Sequence, residues 1–151
     1  MKYDNIRQAA KKDVFRIAEI EVFNYRLNFY PIFKNDGFYF EELQVNSEAE
    51  KLADEETLRH TYVYDDGAVK GFIIIDGKEV WKLFVEPALQ GQSIGAELLE
   101  YAIEEHGAEA LWVLEKNTRA KRFYEAHGFC VTDEKIYEDG TTEYLVRMKR
   151  R

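Results

Sequence analysis

Residues 83–96 read LFVEPALQGQSIGA. An apolar run ends at Pro87, crosses a short polar stretch containing Gly91 and Gly95, and enters a helical pattern. A helix N-terminus carries unpaired N–H groups and about half a positive charge, so it attracts anions. Glycine at such a place lets a phosphate approach a backbone that a Cβ would hold away. Glycine-containing loops also serve as plain strand-to-helix connections, so this stretch alone leaves both readings open. Two named phosphate motifs are excluded: GxxxxGK[ST] is absent, and the glycine spacing is not GxGxxG. A dinucleotide-binding half would also start on a parallel strand, whereas here the loop ends a run of hairpins.

Upstream, TYVYDDGAVKGFIIIDGKEVWKLFV (61–85) holds three β-prone runs separated by Asp66-Gly67 and Asp76-Gly77, both strong hairpin signals. Earlier still, Ile6 to Ala9 reads as a short strand. Asp13 stands at a helix N-cap, followed by Val14, Ile17, Ala18, Ile20 and Phe23 at helical spacing. That helix is expected to end by Tyr30, since Pro31 disfavours helical geometry before it. YPIFKNDGFYF (30–40) reads as an aromatic loop, and SEAE (47–50) as a capping box opening a helix to about Arg59.

Downstream, Ser93 to His106 places Leu98, Leu99, Ala102 and Ile103 on one face, with Gly107 as C-cap. ALWVLE (110–115) is a strand and NTRAKRFYEAHG (117–128) a helix, with Ala120, Phe123, Tyr124 and His127 in one row. FCVTDEKIY, the turn EDG and TTEYLVRM close as a hairpin. The expected fold is α+β: a central mixed sheet with helices on both faces, in the order β-α-α-β-β-β-α-β-α-β-β.

The chain of 151 residues is expected to form one domain, residues 1–151, with a full core. A formal net charge of −8 argues against nucleic acid as partner and favours cationic ones. The single cysteine, Cys130, forms no internal disulfide framework and fits a reducing cytoplasmic setting. MKYDNIRQAAKK lacks the apolar segment of a secretory leader, and no apolar run reaches the roughly 18 residues of a membrane span. His60, His106 and His127 lie far apart, without metal-ligand spacing, so no metal is expected.

Two motifs together are more specific. Leu83, Val85 and Pro87, followed by Gln90-Gly91-Gln92-Ser93-Ile94-Gly95, resemble the pyrophosphate loop Q/R-x-x-G-x-G/A of the GNAT superfamily of acyl-CoA-dependent N-acetyltransferases. LWVLEKNTRAKRFYEAHGF (111–129) resembles that family's second motif, with Asn117, Ala120, Phe123, Tyr124, Glu125, Gly128 and Phe129 in register. Ser93 stands where the family usually has its middle glycine.

The resemblance implies acetyl-CoA as co-substrate, lying between strands 78–85 and 110–115. Its pyrophosphate would rest on backbone N–H groups of Gln90 to Gly95, running into Ala96. A bulge in the fourth strand would free an N–H near Phe84 or Val85, beside Leu83, for the thioester carbonyl. Asn117, with Ala120 and Phe123 behind it, would cap the next helix or hold the pantetheine arm. Tyr124 matches the family's general acid, since a phenol of pKa about 10 can protonate a thiolate of pKa about 8.5.

For the base, the resemblance puts Glu79 first, since acidic residues of this strand serve as base in some members of the family; it also shares alternation parity with Trp81, Leu83 and Val85. Glu115, Tyr62 and a water chain are the alternatives. Tyr25, Phe29, Tyr30, Phe33, Phe38, Tyr39 and Phe40 would line an acceptor pocket, form core, or make a homodimer contact, with Asp36, Glu41 and Glu42 nearby. The implied reaction is direct acetyl transfer to a primary amine of a small molecule or peptide in a ternary complex. Its rival is a non-catalytic acyl-CoA-binding module of the same fold.

Overall fold

The computed structural model describes residues 2–151. The chain begins with β1 (Ile6–Gln8) and α1 (Val14–Asn24), then passes through helical turns that include α2 (Tyr30–Phe33). α3 (Val45–Leu52) and α4 (Glu55–Arg59) lead to the meander β2 (Thr61–Asp65), β3 (Val69–Asp76) and β4 (Glu79–Val85). The second half runs α5 (Ile94–His106), β5 (Ala110–Leu114), α6 (Thr118–Ala126), β6 (Phe129–Tyr137) and β7 (Tyr144–Arg150). Among the described residues one seven-stranded sheet has the order β1-β2-β3-β4-β5-β7-β6. Its neighbours are antiparallel except β4 and β5, which are parallel, as the crossover through α5 requires.

Helices cover both faces. α1, α3 and α4 bury Ile17, Ile20, Leu52 and Leu58 against Val63, Phe72 and Ile74. On the other face α5 and α6 bury Leu98, Leu99 and Tyr124 against Ile73, Ile75, Val80 and Leu111. The alternation of Phe72, Ile73, Ile74 and Ile75 between these two cores explains why β3 reads as a continuous apolar run. Gly71 lets α5 lie close to the sheet: a Cβ there would stand 3.1 Å from the Phe84 carbonyl oxygen and 3.2 Å from Ile94 and Leu98.

Four expectations are corrected before residue 60. The first helix does not stop at Tyr30. Residues Tyr25–Phe29 form a π-helical turn in which the Tyr30 N–H reaches back to the Tyr25 carbonyl, and Pro31 falls in the first turn of α2. There its missing N–H is harmless, and the passage expected as a loop is largely helical turns. SEAE caps nothing: α3 starts at Val45, Ser47 Oγ donates to the Gln44 carbonyl at 2.9 Å, and Asp54 caps a separate α4 by accepting from Thr57 N–H at 3.1 Å. Phe23 is 40% exposed, and its neighbour Val22 is fully buried instead.

Asp13 ties the start of α1 to β1. Its Oδ2 and Oδ1 accept from the two terminal nitrogens of Arg7 at 2.8 and 2.9 Å, and Oδ2 also accepts the Ala10 N–H at 2.8 Å. The Arg7 guanidinium, chiefly, holds this buried carboxyl below its ordinary range, against the opposing effect of burial. A carboxyl with a lowered folded pKa stabilises the fold above its unfolded value of about 3.9, and that contribution is lost as pH falls through the folded value. Asp13→Asn is therefore expected to lower stability at pH 7 and to flatten the loss of stability below about pH 4, as read by urea unfolding at a series of pH values.

Candidate active site

The parallel pairing of β4 with β5 extends only over Glu79–Ala110 and Val80–Leu111, whereas β5 continues along β7 to Leu114. Past Val80 the two strands part. β4 also carries an extra residue: Ile75 faces Val80 and Ile74 faces Lys82, so Trp81 is bulged out of register. The irregularity thus lies at Trp81, upstream of the expected Phe84 or Val85. The N–H expected to be free arises by splaying instead. Glu86 N–H donates to the Lys70 carbonyl at 2.9 Å, so by strand alternation Val85 turns its N–H and C=O away from β3 toward the parted strands. The Val85 carbonyl is taken by Asn24 Nδ2 at 2.9 Å and Gln90 Nε2 at 3.3 Å.

The gap is a cavity of about 330 Å³. Leu83, Phe84 and Val85 form one wall, Gln90, Gly91, Ser93, Ile94, Gly95 and Ala96 the floor, and Asn117, Ala120, Phe123 and Tyr124 the other wall. Of the residues expected to hold the co-substrate, Gln92 alone is not on its lining. Ser93 is the residue before α5 and has a left-handed backbone, φ 70° and ψ 7°. That conformation explains why a glycine suits the position, and it costs a serine about 1 kcal/mol. Its side chain does not cap α5. The first-turn N–H groups of α5 open into a space already floored by backbone, a donor set suited to an oxyanion.

Asn117 caps α6, accepting the Ala120 N–H at 3.1 Å, which sets the helix so that Tyr124 reaches the cavity. Tyr124 is 9% exposed, edge-on to Phe123 and Phe129 at ring separations of 5.3 and 5.9 Å. Burial pushes its phenol well above the ordinary tyrosine range, so it is a neutral O–H donor at all working pH.

The base expected first is not in this cavity. Glu79 sits at the closed end of the strand pair, in an ion pair with Arg147 of β7. The parity argument fails because the extra residue at Trp81 reverses the alternation: Leu83 and Val85 pack toward the α5 side with Val80, so Glu79 faces the other way. Glu115 pairs with Lys135 at 2.5 Å, and Tyr62 packs between Tyr101 and His106 at ring separations of 5.3 and 4.9 Å. Neither lines the gap. Asn24, Asn28, Leu89 and Arg119 do line it, and nothing in their local sequence pattern marks them.

A larger cavity, about 760 Å³, lies beside the first. Tyr25, Phe29, Phe33, Phe38 and Tyr39 form one wall and the β6–β7 turn, Glu138–Glu143, the other. Phe29 borders both cavities. Tyr30 and Phe40 pack on each other outside it at 4.9 Å, and the Tyr30 hydroxyl donates to Asp36 at 2.5 Å. Behind Tyr25 lies Glu21, fully buried, ion-paired with Lys82 of β4. Among the described residues no group of His, Cys, Asp and Glu is arranged to hold a metal ion, and no helix is long and apolar enough to cross a membrane.

The fold recurs in solved structures of low sequence identity. The apo form of YjaB from Escherichia coli aligns over 95% of each chain at TM-score 0.71 and 20% identity. An N-acetyltransferase from Staphylococcus aureus Mu50 aligns over 95% of this chain and 98% of its own at TM-score 0.74 and 17% identity. PaiA N-acetyltransferase from Thermoplasma acidophilum, in complex with coenzyme A, aligns over 95% and 97% at TM-score 0.63 and 24% identity. In sequence, the peptidyl-lysine N-acetyltransferase YjaB of Salmonella typhimurium is 35% identical over 77 residues, 51% of this chain and 53% of that protein. The peptidyl-lysine N-acetyltransferase YiaC of Escherichia coli is 36% identical over 70 residues, 46% of this chain and 48% of that protein. The chain thus spans about half the length of the curated relatives it matches. The family description "Acetyltransferase (GNAT) domain" matches residues 28–151, well over half of the chain and including both motifs, and the chain therefore belongs to the GNAT acetyltransferase family.

Proposed function

We propose that this domain transfers acetyl from acetyl-CoA directly to a primary amine in a ternary complex. The observation that carries the reading is the convergence, in one gap between parted strands, of the start of α5, the Val85 N–H and the buried Tyr124 hydroxyl. The pyrophosphate binds the N–H groups of Gln90 to Ala96, and the acyl arm follows β4. The amine nitrogen, entering past Phe29, attacks the thioester carbon, and the Val85 N–H holds the oxyanion that forms. The nitrogen gives up its second proton to water, the C–S bond breaks, and the thiolate takes the Tyr124 proton, which solvent later restores. Burial weakens Tyr124 as an acid, but the same dry surroundings raise the proton affinity of the thiolate beside it. With Glu79, Glu115 and Tyr62 directed elsewhere, the ammonium loses its proton to water in the joined cavities.

The test is thermal unfolding with and without acetyl-CoA, followed by an amine screen read by thiol release. Acetyl-CoA at a hundredfold over its dissociation constant is expected to add about 2.7 kcal/mol of stability. Turnover is expected to rise with pH toward the amine pKa of about 10, with no alkaline decline below it, because Tyr124 stays protonated there. No shift with millimolar acetyl-CoA would overturn the proposal. A shift without thiol release from any amine would leave the acyl-CoA-binding module.

A further inference from the structure

The larger cavity differs from a channel for one alkylammonium. Its volume of about 760 Å³ lies in the range of pockets that enclose whole small molecules. One wall is aromatic: Tyr25 stacks on Phe29 at 4.9 Å, and Phe33 lies nearly parallel to Tyr39 at 6.4 Å. The opposite wall is acidic. Glu143 is engaged by Lys116 at 2.9 Å, but among the described residues no cation pairs with Glu138 or Asp139. The negative field reaches across the space, since Glu138 adds to burial in raising the Tyr39 hydroxyl to about 12. Behind Tyr25, outside the cavity lining, the fully buried Glu21 carboxylate is engaged by Lys82 and by the Tyr25 hydroxyl.

A cation against aromatic faces and a cation against free carboxylates are both stabilised, and the two walls face each other. The end nearest Phe29 must hold the reacting nitrogen, as that ring borders the gap where the thioester would lie. Glu138 and Asp139 lie on the opposite wall and are left for a second charge. We infer that the acceptor is a small amine carrying a second cationic group, of the α,ω-diamine class: one nitrogen is acetylated and the other rests on the β6–β7 turn. This inference rests on the acetyl-transfer reading above.

The experiment measures thiol release from acetyl-CoA with 1,5-diaminopentane, with pentylamine, and with a short peptide containing one lysine. The diamine is expected to exceed pentylamine by about tenfold in kcat/KM, the ratio that two partly exposed charge contacts supply. The double variant Glu138→Gln with Asp139→Asn is expected to bring that ratio close to one through KM, with the thermal midpoint and the acetyl-CoA shift retained. Equal use of diamine and monoamine, preference for the peptide over both, or a ratio unmoved by the double variant would each overturn the inference while leaving acetyl transfer standing. Absence of both acetyl-CoA stabilisation and turnover would instead overturn the reading beneath it.

Discussion

Tyr124→Phe is expected to lower the rate of acetyl transfer by about 10²- to 10⁴-fold, the range over which a positioned acid contributes to catalysis. The exchange removes one oxygen from a side chain that is 9% exposed and packed edge-on to Phe123 and Phe129. Among the described residues the hydroxyl has no hydrogen-bond partner, so no buried group is orphaned, and folding is expected to survive. Stabilisation by acetyl-CoA should persist as well, since the proposed pyrophosphate site, Gln90, Gly91 and Ser93 to Ala96, lies on another element. Loss of turnover with retained acetyl-CoA binding is the signature of a group used in the transition state. A loss smaller than about threefold would remove Tyr124 from the chemistry and leave it as one member of the aromatic core.

The second large effect concerns stability. Lys82→Met is expected to destabilise the fold by about 3 kcal/mol, at the lower end for stripping one partner from a buried ion pair, because Lys82 itself is partly exposed. Glu21 has no accessible surface, so the variant leaves a buried carboxylate in α1 without its ion-pair partner, beside the Tyr25 hydroxyl. Adding Glu21→Leu to Lys82→Met is expected to recover much of the loss, since the charge and its partner then vanish together. Denaturant unfolding of the single and double variants measures both steps. A loss below about 1 kcal/mol for Lys82→Met would mean that the Glu21 carboxylate reaches water once Lys82 is gone.

The parts of the site legible in the sequence are those written locally. The Asp-Gly turns, the proline and glycines after β4, and the Asn-to-Tyr spacing of α6 each occupy one short window. Together they marked most of the lining of the smaller cavity, though not Asn24, Asn28, Leu89 or Arg119. What failed depended on register. An extra residue at Trp81 leaves no trace in composition, yet it turns Glu79 to the other face of the sheet and so removed the expected base. The π-helical turn before Pro31 was hidden as well: Tyr25–Phe29 carry no local signal that tells a π turn from the end of a helix. Asn24 and Asn28 reach the site from α1 across a long stretch of chain, and neighbouring residues do not report such distances. The aromatic stretch carried its own ambiguity between lining and core. The structure divides it, giving Phe33 and Phe38 to a cavity and leaving Tyr30 and Phe40 to each other.

The short parallel contact between β4 and β5 has a mechanical consequence. Residues 6–85 and residues 110–150 each form a continuous antiparallel patch, and in the sheet itself those patches are joined by two residue pairs near one end. Such a join is a seam with a hinge. An extended acyl arm laid along the open part would act as the strand the sheet lacks, tying the patches along the rest of their length. The ligand would then be a structural member as well as a reactant. Each release of product would leave the two halves coupled mainly through α5 and its packing, and their cooperativity in unfolding would fall with it.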